Sequence, residues 1–168
     1  MIEFSELLIE SVEDYNKLYE CVGKEAIDEQ AVDTLKKFLG TNCNRIVVEY
    51  PYHDKDFLST YYCYYSQKFR GFQKKCYRLH IMGEDEKYFG YIVLRPTVKG
   101  TRLGTTYLSP KPLLDEEAYL MLAKYEAHIM DNKRDIKCFP WMKQEVDIAV
   151  CAHVAAWTIL RYYGNKYH

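Results

Sequence analysis

The chain has 168 residues, 48% of them hydrophobic and 28% charged, a balance that excludes a disordered protein and suffices to bury a core. Its 23 basic and 24 acidic residues leave a formal net charge of -1, which excludes attraction of the whole chain to nucleic acid or anionic lipid. The opening "MIEFSELLIESVEDYNKLYE" carries acids where a signal peptide is basic, and no apolar run reaches the roughly 18 residues that cross a bilayer, so the sequence predicts no leader and no membrane partner.

Two helices are expected first. The second is the clearer, since Asp28 can cap "DEQAVDTLKKFLG", where Ala31, Val32, Leu35, Phe38 and Leu39 make one stripe and Gly40 supplies the stop. "RIVVEY" reads as a short buried strand ended by Pro51. A further helix is expected over residues 54–69, with Leu58, Tyr61, Tyr62, Tyr65 and Phe69 on one face. From Lys75 the apolar period changes to two, and "CYRLHIM", "YFGYIVLRP" and "GTTYLSP" predict an antiparallel meander in which Pro96 and Pro110 mark strand ends. Gly100 and Gly104 read as turn residues, because no phosphate-loop pattern surrounds them. "EEAYLMLAKYEAHIM" reads as the start of a strand pair that turns at "MDNKRD" and returns through "IKCFP".

The last segment predicts a helix from about Ile148 to Tyr163, capped by Asp147 and stopped by Gly164. Its first turns are apolar on nearly every face, so burial on most sides is expected. The predicted fold is α+β: N-terminal helices, a mainly antiparallel sheet with one crossing helix, and a C-terminal buried helix. A domain boundary is expected near Phe139 and Pro140, dividing an accessory domain over 1–139 from residues 140–168.

The six cysteines, Cys21, Cys43, Cys63, Cys76, Cys138 and Cys151, are scattered without a C-x-x-C pair, which predicts reduced thiols, a cytoplasmic location and no metal or cofactor. Cys151, in "QEVDIAVCAHVAAW", falls at the head of the apolar helix. Unpaired N–H groups and the positive end of the helix dipole favour a thiolate there, and the Cys151 N–H with the Gln144 amide could hold an oxyanion. A cysteine in an Ala/Val-rich helix is also commonly a small core residue.

The stretch "FPWMKQEVDIAVCAHVAAWTILRYYG" resembles the nucleophile segment of papain-like cysteine peptidases, in particular bacterial peptidases similar to those that process double-glycine leaders. "YFGYIVLRPT" and "RLGTTYLSP" resemble the region that precedes it in long bacterial proteins of this kind. The resemblance implies Cys151 as nucleophile, Gln144 as oxyanion-hole amide, and a peptide or protein substrate. Ala152 stands where the family has glycine, and six residues separate Gln144 from Cys151. It also implies a general-base His and an orienting Asn or Asp downstream of the nucleophile helix. The expectation is therefore the N-terminal portion of a thiol peptidase, inactive alone and completed by the remainder of its own longer chain.

An upstream base is the alternative, and of the five histidines His80 and His128 are its candidates. His153 lies about 200° around the helix from Cys151, His168 is terminal and His53 falls in a loop. That order would resemble the circularly permuted acyltransferases of the lecithin:retinol acyltransferase family, to which "VCAHVAAWTILRYYG" has a passing similarity, although Val150 and Ala152 depart from their motif. A third reading is a non-catalytic module that binds single-stranded nucleic acid through "SQKFRGFQKKCYRLH", where Lys68, Arg70, Lys74, Lys75 and Arg78 alternate with Phe69, Phe72 and Tyr77. The preferred reading of that patch is a solvated helix end anchored by aromatics. "HDKD" at residues 53–56 reads as a helix cap rather than a metal site.

Overall fold

The structure is a computed structural model that describes residues 2–69, 71–96, 103–110, 119–143 and 151–167, and of Cys151 the backbone alone. The middle of the chain builds one antiparallel sheet whose central strands are largely buried on both faces. Its strands are β1 (Glu3–Leu8), β2 (Arg45–Tyr52), β3 (Cys76–Met82), β4 (Tyr88–Leu94), β5 (Leu103–Leu108) and, numbered last, β8 (Trp141–Met142), in the order β1-β2-β3-β4-β5-β8. The expected strand pair forms as β6 (Ala123–Ile129) and β7 (Asn132–Cys138), a separate hairpin. Met130 and Asp131 turn it with positive φ, the geometry that matches the twist of a two-residue hairpin.

The sheet has two chemically different faces. Ile46 and Val48 of β2, Leu79 and Ile81 of β3, and Ile92 and Leu94 of β4 are buried beneath a helical layer. That layer comprises a 3-10 turn (Val12–Lys17), α1 (Leu18–Val22) and α2 (Glu29–Leu39). The opposite face carries the cross-strand row Val47, His80, Tyr91, Tyr107 and the row Glu49, Arg78, Val93. Over it lie the β6–β7 hairpin, α3 (Lys55–Cys63) and α4 (Cys151–Tyr167). The chain is thus α+β in three layers. Gly90 is required between β4 and β5, because its φ is +135° and a Cβ would stand 1.9 Å from the Tyr107 carbonyl oxygen.

α2 forms as its sequence predicts. Asp28 accepts a hydrogen bond from the Ala31 N–H at 2.7 Å, and Ala31, Val32, Leu35 and Leu39 are buried, while Phe38 faces solvent. Elsewhere the structure corrects the expectation. A strand, β1, precedes the helical layer, because the edge of β2 offers a row of unpaired N–H and C=O groups that β1 satisfies from Glu3↔Tyr50 to Leu8↔Arg45. Pro51 does not end β2, which runs on to Tyr52 with a register shift across it. The helix expected to reach residue 69 stops at Cys63, and a 3-10 turn (Tyr65–Gln67) follows, leaving Phe69 exposed. Gly104 lies within β5, where the Arg95 side chain passes over it: a Cβ would meet Arg95 Cγ at 2.7 Å. Gly100 and the Asp147 cap lie outside the described residues.

α4 is present but passes through Gly164 to Tyr167, and its burial is one-sided. Tyr162 is buried, Val154, Trp157 and Arg161 are half-buried, and Ile159, Leu160 and Tyr163 face outward. The expectation of burial on most sides therefore fails for the described residues, because only one layer packs against this helix. β8, beyond the expected boundary at Phe139 and Pro140, is paired with β5 in the main sheet.

Candidate functional site

α4 is described from Cys151 onward, and the backbone of the expected nucleophile is helical there. Gln144 lies outside the described residues, as does the side chain of Cys151. What seats the helix is clear. Tyr162 is buried against Phe139 with ring centroids 5.3 Å apart, and the Tyr125 hydroxyl donates to the Arg161 carbonyl at 3.0 Å. The Arg161 guanidinium faces the Asp56 carboxylate of α3 at 3.4 Å. Between α3, β8 and the first turns of α4 lies a cavity of about 430 Å³, lined mainly by apolar surface of Met142, Val154 and Trp157, with Cys63, Asp56 and His153 at its edge. His153 thus stands on α4 in a wall of that cavity. The Trp157 Nε1 is buried with no hydrogen-bond partner.

The two candidate upstream bases are placed elsewhere. His128 is on the exposed face of β6, since Ala123, Tyr125, Ala127 and Ile129 take the buried positions of that alternating strand. His80 is completely buried, with Nε2 3.0 Å from Glu49 Oε2 and Nδ1 2.8 Å from the Tyr88 hydroxyl. A carboxylate only accepts, so Nε2 carries the proton and donates to Glu49, while Nδ1 accepts from Tyr88. Both ring nitrogens are engaged. The rings of Tyr91 and Tyr107 lie between His80 and Trp157 of α4.

Glu49 is the hub of this cluster. Besides His80, its Oε2 accepts from Arg78 Nε at 2.7 Å and faces Arg78 Nη2 at 2.6 Å. Arg78 in turn donates to the His128 carbonyl at 2.8 Å and lies over the rings of Tyr52 and Tyr91. Burial alone would raise the Glu49 carboxyl, but the His80 hydrogen bond and the Arg78 charge outweigh it and hold it below the ordinary range. Burial pushes the His80 imidazole down, and Glu49 offsets this only in part, so His80 is neutral at neutral pH. Burial also raises the Tyr88 phenol well beyond its usual value. The cluster clamps the hairpin to the sheet, with both nitrogens of the buried His80 ring engaged.

A second buried cluster joins α3 to the sheet. Arg95 Nη2 donates to Thr105 Oγ1 at 2.9 Å and faces Asp54 Oδ2 at 3.3 Å, and Thr105 donates to the same carboxylate oxygen. Asp54 also caps α3, accepting from the Asp56 N–H, which is the role expected of "HDKD"; His53 is exposed. Among the described residues no group of three His, Cys, Asp or Glu side chains could hold a metal ion.

The basic and aromatic residues of 66–80 do not form one strip. Arg78 is consumed by Glu49, Lys68 lies over Tyr64, and Lys74 lies over Tyr61 and Tyr62. Arg70 is outside the described residues. The site residues that sequence reasoning missed are Glu49 and Tyr88. An acid inside the apolar run "RIVVEY", and the i, i+2 spacing of Arg78 and His80 in "CYRLHIM", are the signals that could have found the cluster. No family model matches the chain, and no curated protein or solved structure is significantly similar to it.

Proposed function

We propose that the chain is the N-terminal portion of a papain-like thiol peptidase, with Cys151 as nucleophile and Gln144 as an oxyanion donor. What supports this reading is the resemblance of residues 139–164 to the nucleophile segment, together with the helical backbone of Cys151 in α4; a cysteine in the first turn of such a helix would be favoured as thiolate by free N–H groups and the helix dipole. The thiolate attacks the carbonyl carbon of a peptide bond, forming the C–S bond. The resulting oxyanion accepts hydrogen bonds from the Cys151 N–H and the Gln144 amide, and the amine leaves with a proton from the base. Water then hydrolyses the thioester with the same base as proton acceptor.

His80 enclosed by Glu49 and Tyr88, and His128 facing out from the hairpin, both favour a base supplied by sequence beyond α4 over a permuted arrangement. The bare apolar face of α4, with Ile159 and Leu160 more than half exposed, fits the same reading: the remainder of a catalytic domain would cover it. No disulfide joins the described cysteines Cys21, Cys43, Cys63, Cys76 and Cys138, in keeping with a reducing cytoplasm. Among the described residues no helix is long and apolar enough to cross a membrane.

The test is the rate of iodoacetamide labelling of Cys151 against pH, followed by mass spectrometry in a Cys63→Ser variant, since Cys63 is the exposed competitor. An apparent pKa clearly below the usual value of about 8.5 is expected. A Cys151 that resists labelling in the folded protein, or titrates as an ordinary thiol, overturns the proposal.

A further inference from the structure

Outside the α4 region a cavity of about 640 Å³ lies at the end of the sheet, between the α1–α2 loop and the segment that leads into β3. Its size falls within the range of small-molecule sites, roughly 300–1,000 Å³. One wall is aromatic. Tyr50 and Tyr77, on neighbouring strands, stack with centroids 4.3 Å apart and planes 25° apart, and Phe72 also lines the space. Each of the three is half-buried, so ring surface remains open to a ligand. The rim is basic: Lys24 from the loop and Lys75 from the segment before β3 face the cavity, against the single acid Glu25. Arg95, itself 5% exposed, closes the floor and is held there by Asp54 and Thr105.

This is where the interleaved basic and aromatic residues of the sequence retain an outward role. With Lys68, Lys74 and Arg78 committed to rings and to Glu49, Phe72, Lys75 and Tyr77 are the patch's basic and aromatic residues that converge here among the described residues, and they do so with Tyr50 and Lys24 from distant parts of the chain. A strand of nucleic acid needs a groove that tracks successive phosphates. A compact cavity with one aromatic wall and two lysines suits a single planar group carrying one anion. We propose that this cavity binds a planar anionic ligand of nucleoside monophosphate size, its ring stacked on the Tyr50, Tyr77 and Phe72 wall and its phosphate paired with Lys24 and Lys75. The site is separate from Cys151 and does not depend on the peptidase reading.

The experiment is calorimetric titration of the chain with adenosine monophosphate, adenosine and inorganic phosphate at low and high salt. Saturable binding of the nucleotide is expected, weakened by salt, with each partial probe binding about tenfold or more weaker. Lys24→Ala with Lys75→Ala, both at exposed positions, should weaken the nucleotide about tenfold and leave adenosine unchanged. Phe72→Ala should weaken nucleotide and adenosine alike, also about tenfold. Unchanged thermal unfolding of the variants establishes that the loss is local. No saturable binding up to millimolar nucleotide, or full affinity in the double lysine variant, overturns the proposal. So does inorganic phosphate binding as tightly as the nucleotide, or a trinucleotide binding far more tightly than the monophosphate.

Discussion

Glu49→Gln tests the buried clamp most directly. The substitution keeps shape and some hydrogen bonding but removes the charge that faces Arg78 at 2.6 Å and accepts from His80 at 3.0 Å. Breaking a buried ion pair from one side costs about 3–5 kcal/mol, because the surviving ion is left buried without its partner. Here the surviving guanidinium is 13% exposed, keeps the His128 carbonyl and lies over two tyrosine rings, which sets the loss at the lower end, about 3 kcal/mol. For a chain of this length that corresponds to a fall of roughly 6–12 °C in Tm. Urea unfolding followed by far-UV circular dichroism measures it, with Arg78→Leu and the Glu49→Leu, Arg78→Leu pair completing the comparison. The double variant should be less destabilised than the two single changes summed. A Glu49→Gln protein within about 1 kcal/mol of the parent would show that solvent already screens the pair and that the clamp has been misread.

The same cluster sets a pH dependence. His80 and Glu49 both have folded pKa values below their unfolded ones, so the stability each contributes is complete above its unfolded pKa and is lost as pH falls. Unfolding free energy should therefore begin to decline below about pH 6.5, and a His80→Gln variant should lose that first portion of the slope. Gly90→Ala should cost more than about 4 kcal/mol or abolish folding, because the added methyl meets the Tyr107 carbonyl in a backbone conformation that alanine avoids; expression and thermal melting report it. Gly164→Ala should instead stabilise by about 0.5–1 kcal/mol, since a Cβ there has nothing within 4 Å and the site is helical. Asp54→Ala removes the cap of α3 together with the carboxylate that faces Arg95 and should cost about 3 kcal/mol or more in urea unfolding. In timed alkylation of the native protein Cys63 should react early, whereas Cys138, whose thiol burial pushes up to about 12, should react only on unfolding.

What the sequence discloses is what local signals encode. The meander from Lys75, the hairpin at Met130 and Asp131, and the Asp28 cap each depend on a few neighbouring residues, and each forms. β1 was illegible because "EFSELL" has helix-forming residues and no clean alternation, and its conformation is imposed by the unpaired edge of β2. The one-sided burial of α4 was equally hidden, since hydrophobicity on every face says that cover is wanted, not that it is supplied. At the candidate site the helix that carries Cys151 was legible from its apolar run, while Gln144 and the start of that helix lie outside the described residues. The Glu49 clamp was not, because Glu49, Arg78 and His80 become neighbours only once β2 and β3 take their register. The lysines and aromatics of 66–80, adjacent on paper, are dispersed by the same folding.

Both tryptophans of the chain, Trp141 and Trp157, belong to β8 and α4. Selective excitation of indole therefore reports one corner of the molecule, where the last helix meets the last strand, and is blind to the layer of α1 and α2. Trp157 is half-buried with its Nε1 shielded from solvent, while Trp141 is more exposed, so undocking of α4 should redden the spectrum without any loss of sheet ellipticity. The protein carries its own optical gauge of whether α4 is seated.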